Sequence, residues 1–181
     1  MVNNLTKMTW STRHLFLFSF LFLSSIIYGQ NISKHYTSST QDDGTLYFVL
    51  PQSGFKNNKL KNELIYDLTY LSSSDSITLN FSYFDKSERK VDSIALFYNN
   101  HETTGQVKTL FVEAEKRKWH YRYSTKLNFD DIDSFFNQNS EPKIVLWTQN
   151  KPLELYVKPR IWKKQSSIIK KILTMIKYNQ P

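Results

Sequence analysis

Six consecutive residues alternate basic and aromatic side chains: Lys118, Trp119, His120, Tyr121, Arg122 and Tyr123. On an extended strand the three aromatics share one face and the three basic residues share the other. An aromatic face open to solvent would stack on sugar rings or bases, with the basic residues close by to hold anionic groups. The same alternation describes a half-buried strand whose aromatics fill a core while the basic face is wet. The core reading is the expected one, and the six residues stand as a candidate ligand surface.

A second candidate surface lies in residues 161–178, the only long helical pattern in the chain. Ile161, Trp162, Ile168, Ile169, Ile172, Leu173 and Ile176 gather on one stripe, with Lys163, Lys164, Lys170, Lys171 and Lys177 mostly outside it. That composition suits a helix lying on an anionic membrane surface, where each lysine contributes about 1 kcal/mol. It also suits a helix covering the open face of a sheet, its lysine stems packed along the edges and their ammonium groups in water. A small sheet needs its face covered, so packing on the domain is expected. Under the first reading Trp162, Ile168, Ile169, Ile172 and Ile176 would meet lipid or a partner, with Lys163, Lys164, Lys170 and Lys171 beside them.

Catalytic constellations are sparse. His35, His101 and His120 are isolated from one another in sequence, and neither a two-histidine helical zinc motif nor a G-x-S-x-G elbow is present. Gly44, Gly54 and Gly105 are too few and too scattered for a phosphate cradle. His101 with Glu102 could form a general base with its partner, but loop polarity explains the pair as well. Asp130, Asp131 and Asp133 offer oxygen ligands without the alternating acids and glycine turn of a calcium loop. Stabilising a helix N-terminus accounts for them better. Glu63, Glu113 and Glu115 are candidates for a glycosidase carboxylate pair only by default, because folding sets that separation. No catalytic residue, cofactor or metal is assigned, and the reading leans away from an enzyme.

The N-terminus supplies an address. Lys7 and Arg13, with no acidic residue, precede an unbroken apolar run over residues 15–27, and Gly29 follows. This is the order of a secretory signal peptide, residues 1–29. The run is too short for the ~20 apolar residues of a bilayer span, so cleavage rather than a retained anchor is expected. Of 181 residues, removing 29 leaves 152, a length that fits one domain. The chain has no cysteine. A small exported domain without disulfides points to a bacterial envelope or secreted protein. Losing Lys7 and Arg13 takes the formal charge from +8 to +6. That balance biases an exported protein toward anionic neighbours, lipid head groups or glycan, or an envelope protein. Plain solubility through net charge accounts for it at least as well, the charge being spread along the chain apart from two clusters. Nucleic acid is not expected, and neither is a transmembrane span in the mature chain.

Along the mature chain, residues 30–43 are polar and aperiodic and read as a flexible lead-in. Residues 44–160 read as the β-rich domain. Leu64, Tyr66, Leu68 and Tyr70 share one strand face, and Ile77, Leu79, Phe81 and Tyr83 repeat the pattern after a serine-rich turn. Residues 52–61 read as a loop, 99–105 as a polar loop, and 129–136 as one short helix. The expected fold is mainly β: an antiparallel sandwich or curled antiparallel sheet of about seven to eight strands, with one short helix and a C-terminal amphipathic helix over 161–178. The expected function is an exported, non-catalytic binding or scaffold module of the bacterial envelope, periplasmic, outer-membrane-associated or secreted. Its alternatives are an envelope glycan hydrolase and an assembly subunit docking through the terminal helix.

Overall fold

The computed structural model describes residues 32–138, 140–149 and 151–179. The expected export signal, residues 1–29, lies outside them. The fold is mainly β and antiparallel, and it is built from the alternation in the sequence. Strands β3 (Asn62–Leu71) and β4 (Ser76–Asp85) pair antiparallel, and every apolar residue of the two alternating sets is buried. Along its whole length β4 pairs with β8 (Lys118–Asn128). The remaining strands are β1 (Tyr36–Gln41), β2 (Gly44–Asn57), β5 (Val91–Tyr98), β6 (His101–Gln106), β7 (Lys108–Glu115), β9 (Lys143–Thr148) and β10 (Leu153–Tyr156). All ten belong to one sheet, ordered β6-β5-β9-β10-β2-β3-β4-β8-β7, with β1 paired to β2. The arrangement is the curled sheet, not the two-sheet sandwich.

Two strands beyond the expected eight arise where the sequence has no apolar pattern. Ile32–His35 form a 3-10 turn that leads into β1, a strand in the segment expected to be a loose lead-in. Strand β6 replaces the expected polar loop. Strand β2 also runs past Pro51 to Asn57, through a segment expected to be a loop, with register shifts between Val49 and Gln52 and between Ser53 and Phe55. Proline cannot donate to the ladder, so an irregularity beside Pro51 is what lets the strand continue.

The sheet curls until it is nearly closed. Chain segments β6 and β7, separated only by Val107, belong to opposite edges: β6 pairs with β5 and β7 with β8. At the crossing, Thr125 Oγ1 of β8 donates to the Gln106 carbonyl at 2.8 Å, and Val107 N–H donates to Asp92 O at 3.1 Å. Gly105 makes that approach feasible. A Cβ there would collide with Thr125 Oγ1 and lie 2.9 Å from Leu127 Cδ2.

Two helices fill the concave side. Helix α1 (Phe129–Asn137) starts at Asn128, whose side chain accepts from Asp130 N–H at 2.8 Å, with Asp130 and Asp131 in the first turn. Carboxylates there meet the positive end of the helix dipole. Helix α2 (Pro159–Tyr178) buries Trp162, Gln165, Ile168, Ile169, Ile172, Leu173 and Ile176. Trp162 lies 5.4 Å from Phe135 and 5.5 Å from Phe136 of α1, and 6.1 Å from Phe55 of β2, ring centre to ring centre. Each such large apolar side chain contributes about 1.5–3 kcal/mol by leaving water. Gly54, with φ 143°, gives the start of α2 room to land, since a Cβ there would stand 2.9 Å from Ile161 Cγ2. Among the described residues no helix is long and apolar enough to cross a membrane.

Alanine is ordinarily no worse than glycine in a strand, so Gly105→Ala tests the seam by its sign. The variant is expected to lose about 1–3 kcal/mol from overpacking, read by chemical denaturation. Adding Thr125→Ala, which removes the colliding oxygen, should return part of the loss. A neutral or stabilised Gly105→Ala would show that β6 and β8 do not meet this closely.

Candidate functional site

In the basic-aromatic strand the aromatics face inward. Tyr121 and Tyr123 on β8 are buried and Trp119 is half-buried against the core. Their hydroxyls are used structurally: Tyr121 accepts from Arg89 N–H at 2.8 Å and Tyr123 from Val91 N–H at 3.0 Å, which fixes the start of β5. The exposed aromatic platform that could stack on sugars or bases is therefore not what this strand presents. Burial pushes the Tyr123 hydroxyl up to about 12 and raises Tyr66 and Tyr83 further still.

The outward face of β8 is neutralised by its neighbours. Arg122 ion-pairs with Asp67 of β3 and donates to Ser82 Oγ at 3.3 Å. Lys118 stands opposite Glu115 across the β7–β8 ladder. His120 stacks on Phe84 at 4.4 Å and meets the edge of Phe111 at 5.1 Å. Its Nε2 is 3.0 Å from Ser82 Oγ, and its Nδ1 lies 2.9 Å from Glu113 Oε1 and 3.8 Å from Glu115 Oε2. This grouping joins residues that the sequence separates. Its only sequence signal is the hairpin turn, where Lys116 and Arg117 take φ 46° and 67° and fold β7 back on β8. Two successive residues at positive φ make the tight two-residue turn whose twist matches the flanking strands.

In the terminal helix the two halves of the candidate set separate. Trp162, Ile168, Ile169, Ile172 and Ile176 are buried in the protein's own core and face neither lipid nor solvent. Lys163, Lys164, Lys170 and Lys171 are exposed. Arg160 and Lys177 are exposed too, and Lys177 reaches Asp130 at 3.6 Å. At about 100° per residue these six cations fall within one outward arc. From Pro159 to Tyr178 the helix contains no acidic residue.

The other candidates are dispersed. Glu63 pairs with Lys56 at 3.1 Å on the β2–β3 ladder, away from the Glu113–Glu115 pair on β7. Asp131 accepts from Thr103 Oγ1 at 2.9 Å, and Asp133 accepts from Asn137 at 2.7 Å, so these acids brace α1. His101 and Glu102 line an open hollow of about 820 Å³ with Glu141 and Lys143, and the Lys143 ammonium is held by Glu154 at 2.9 Å. A second hollow of about 620 Å³ brings Lys56, Lys59 and Lys151 together with Tyr156. That notch, also lined by Glu154 and with Lys56 paired to Glu63, joins two turns distant in sequence and has no local signature.

The buried tyrosines predict alkaline unfolding. Above pH 10.0, the ordinary tyrosine value, an unfolded chain loses phenolic protons that the folded core retains. The folded state then binds more protons, so its stability falls as pH rises toward and through about 12, the Tyr123 value. Tyrosinate absorbance from the buried set should emerge together with loss of near-ultraviolet circular dichroism. Full ionisation with the dichroism intact would contradict the burial of these hydroxyls.

Compared with known proteins, the chain matches no family model, no curated protein and no solved structure.

Proposed function

We propose that this protein is an exported, non-catalytic binding or scaffold module of the bacterial cell envelope, and that it contacts an anionic partner through the outer face of α2. The observation that carries this reading is the placement of cations at the beginning of that helix. Arg160, Lys163 and Lys164 occupy its first turns, the N-cap residue Lys158 makes no side-chain cap, and the helix itself carries no acidic residue there. A helix N-terminus repels positive charge by about 0.3–1 kcal/mol per group, and like charges three or four residues apart cost about 0.2–0.5 kcal/mol per pair. Folding alone therefore disfavours this arrangement. The apolar stripe is already consumed by the core, so these cations are not flanks of a lipid-buried stripe. They form a ridge whose long-range field suits lipid head groups or an acidic glycan.

The test is binding of the purified protein to vesicles containing an anionic phospholipid, and separately to an acidic polysaccharide, over a range of salt. Binding is expected at low ionic strength and should weaken steeply as salt rises. At about 1 kcal/mol per lysine, the triple variant Lys163→Gln, Lys164→Gln, Lys170→Gln should bind roughly 100-fold more weakly with an unchanged fold. Whichever material shows the loss identifies the source of the anion. Indifference of wild type to both materials at low salt, or equal binding by the triple variant, would remove the reading.

The export half has its own check. The intact mass of the protein recovered from fractionated native cells should correspond to a soluble chain starting near Gln30. A full-length species held in the membrane would instead make residues 15–27 an anchor.

A further inference from the structure

We propose that the β7–β8 hairpin is a divalent transition-metal site, with His120 Nδ1 and the carboxylates of Glu113 and Glu115 holding one zinc ion. The cluster is independent of the cationic face of α2. Glu113 lies directly across the ladder from His120, and Glu115 is two residues farther along β7, so strand alternation puts all three side chains on one face. Their ligand atoms all lie within 4.8 Å of one another. Two atoms bonded tetrahedrally to one zinc at about 2.0–2.1 Å stand roughly 3.3–3.4 Å apart. The 2.9 and 3.8 Å separations around His120 Nδ1 bracket that value. Small rotations of two exposed glutamates, 58% and 47% accessible, are enough to complete the geometry.

The histidine is what distinguishes this cluster from a patch of surface acids. Its ring is held between Phe84 on one side and the edge of Phe111 on the other, and only 14% of its side chain is accessible. Its far nitrogen, Nε2, is anchored by Ser82 Oγ. A metal-bound imidazole requires such an anchor, because a partner accepting from the distal N–H fixes the ring and directs the free lone pair to the metal. Ser82 is a hydroxyl and serves either tautomer. With an ion, the single ring proton resides on Nε2, Ser82 accepts it, and the Nδ1 lone pair takes the metal.

Two carboxylates and a neutral imidazole match the charge and softness of zinc and its neighbours better than those of calcium or magnesium, which favour all-oxygen shells. The opposing local charge is Lys116, 3.9 Å from Glu115 and 90% exposed, Lys118, which faces Glu115 across the ladder, and Arg122, which shares Ser82 Oγ with His120 but is paired with Asp67. Three protein ligands leave a coordination position for water or for one donor atom of a partner.

The experiment is calorimetric titration of the purified protein with zinc chloride in excess magnesium, together with nitrogen NMR of the histidine rings. One saturable equivalent is expected, with the large nitrogen shift at His120 Nδ1. His120→Ala and the double variant Glu113→Gln, Glu115→Gln should each weaken binding at least tenfold, while His101→Ala leaves it unchanged. The glutamates are exposed, so the double variant keeps the fold even if loss of the packed imidazole does not, and it decides the matter alone in that case. Absence of saturable binding, equal affinity in the double variant, or loss of binding in His101→Ala would overturn the proposal.

Discussion

The structure depends on filling the concave side of one curled sheet. Ten strands present an apolar inner face too large to leave to water, and among the described residues the elements that cover it are α1 and α2. Trp162 locks the two helices to each other and to β2 through Phe135, Phe136 and Phe55. Protein interiors are close-packed, so this cluster has little freedom to rearrange. The consequence for function is direct. Trp162, Ile168, Ile169, Ile172, Leu173 and Ile176 of α2 are committed inside, with Ile161 and Tyr178 left exposed at its ends, and recognition is left to the outward faces.

Where one face of an element is buried and the other wet, its pattern is legible in the sequence. Leu64, Tyr66, Leu68 and Tyr70 declare the inner face of β3, and the isoleucine stripe of α2 declares its helix. Strands β1 and β6 are illegible because Tyr36–Gln41 and His101–Gln106 are nearly all polar. They are strands because neighbouring backbones offer hydrogen bonds, and side-chain periodicity carries no trace of that. Pro51 misleads for the opposite reason, since a local irregularity absorbs it within β2. At the candidate sites, alternation identified the two faces of β8 and the two faces of α2 but not which one the rest of the chain covers. That choice is tertiary. Glu113 and His120 illustrate the same limit, because only the register of the hairpin makes them neighbours.

Polar groups inside the fold show how closely the sheet is specified. Asn62 donates to Tyr83 Oη at 2.6 Å, Tyr83 donates to Asp85 at 2.7 Å, and Arg89 lies 3.4 Å from the same carboxylate. The Asp85 charge and the phenol are largely removed from water, and breaking any link would leave a buried group unsatisfied. The network joins the start of β3 to the end of β4 and to the turn that follows. Register there is fixed by polar partners as well as by burial, and a one-residue slip would break both.

Strand β7 is the exception to this economy. All eight of its residues are exposed, including Leu110, Phe111 and Val112, and it forms one edge of the sheet. An apolar edge strand ordinarily invites another chain to pair with it. Two features act against that. The ladder to β8 shifts register between Thr109 and Phe111, which bends the edge where its apolar residues lie. Lys108, Glu113 and Glu115 put charge at both ends of the strand. If β7 served only to complete the sheet, a shorter polar strand would do so with less exposed apolar surface. What it adds is Phe111 against the His120 ring and Glu113 against its Nδ1, which together orient one imidazole at the surface. The exposed apolar edge is thus tied to the position of a single polar side chain, and this exposed strand is also the one that brings Glu113 and Glu115 to His120.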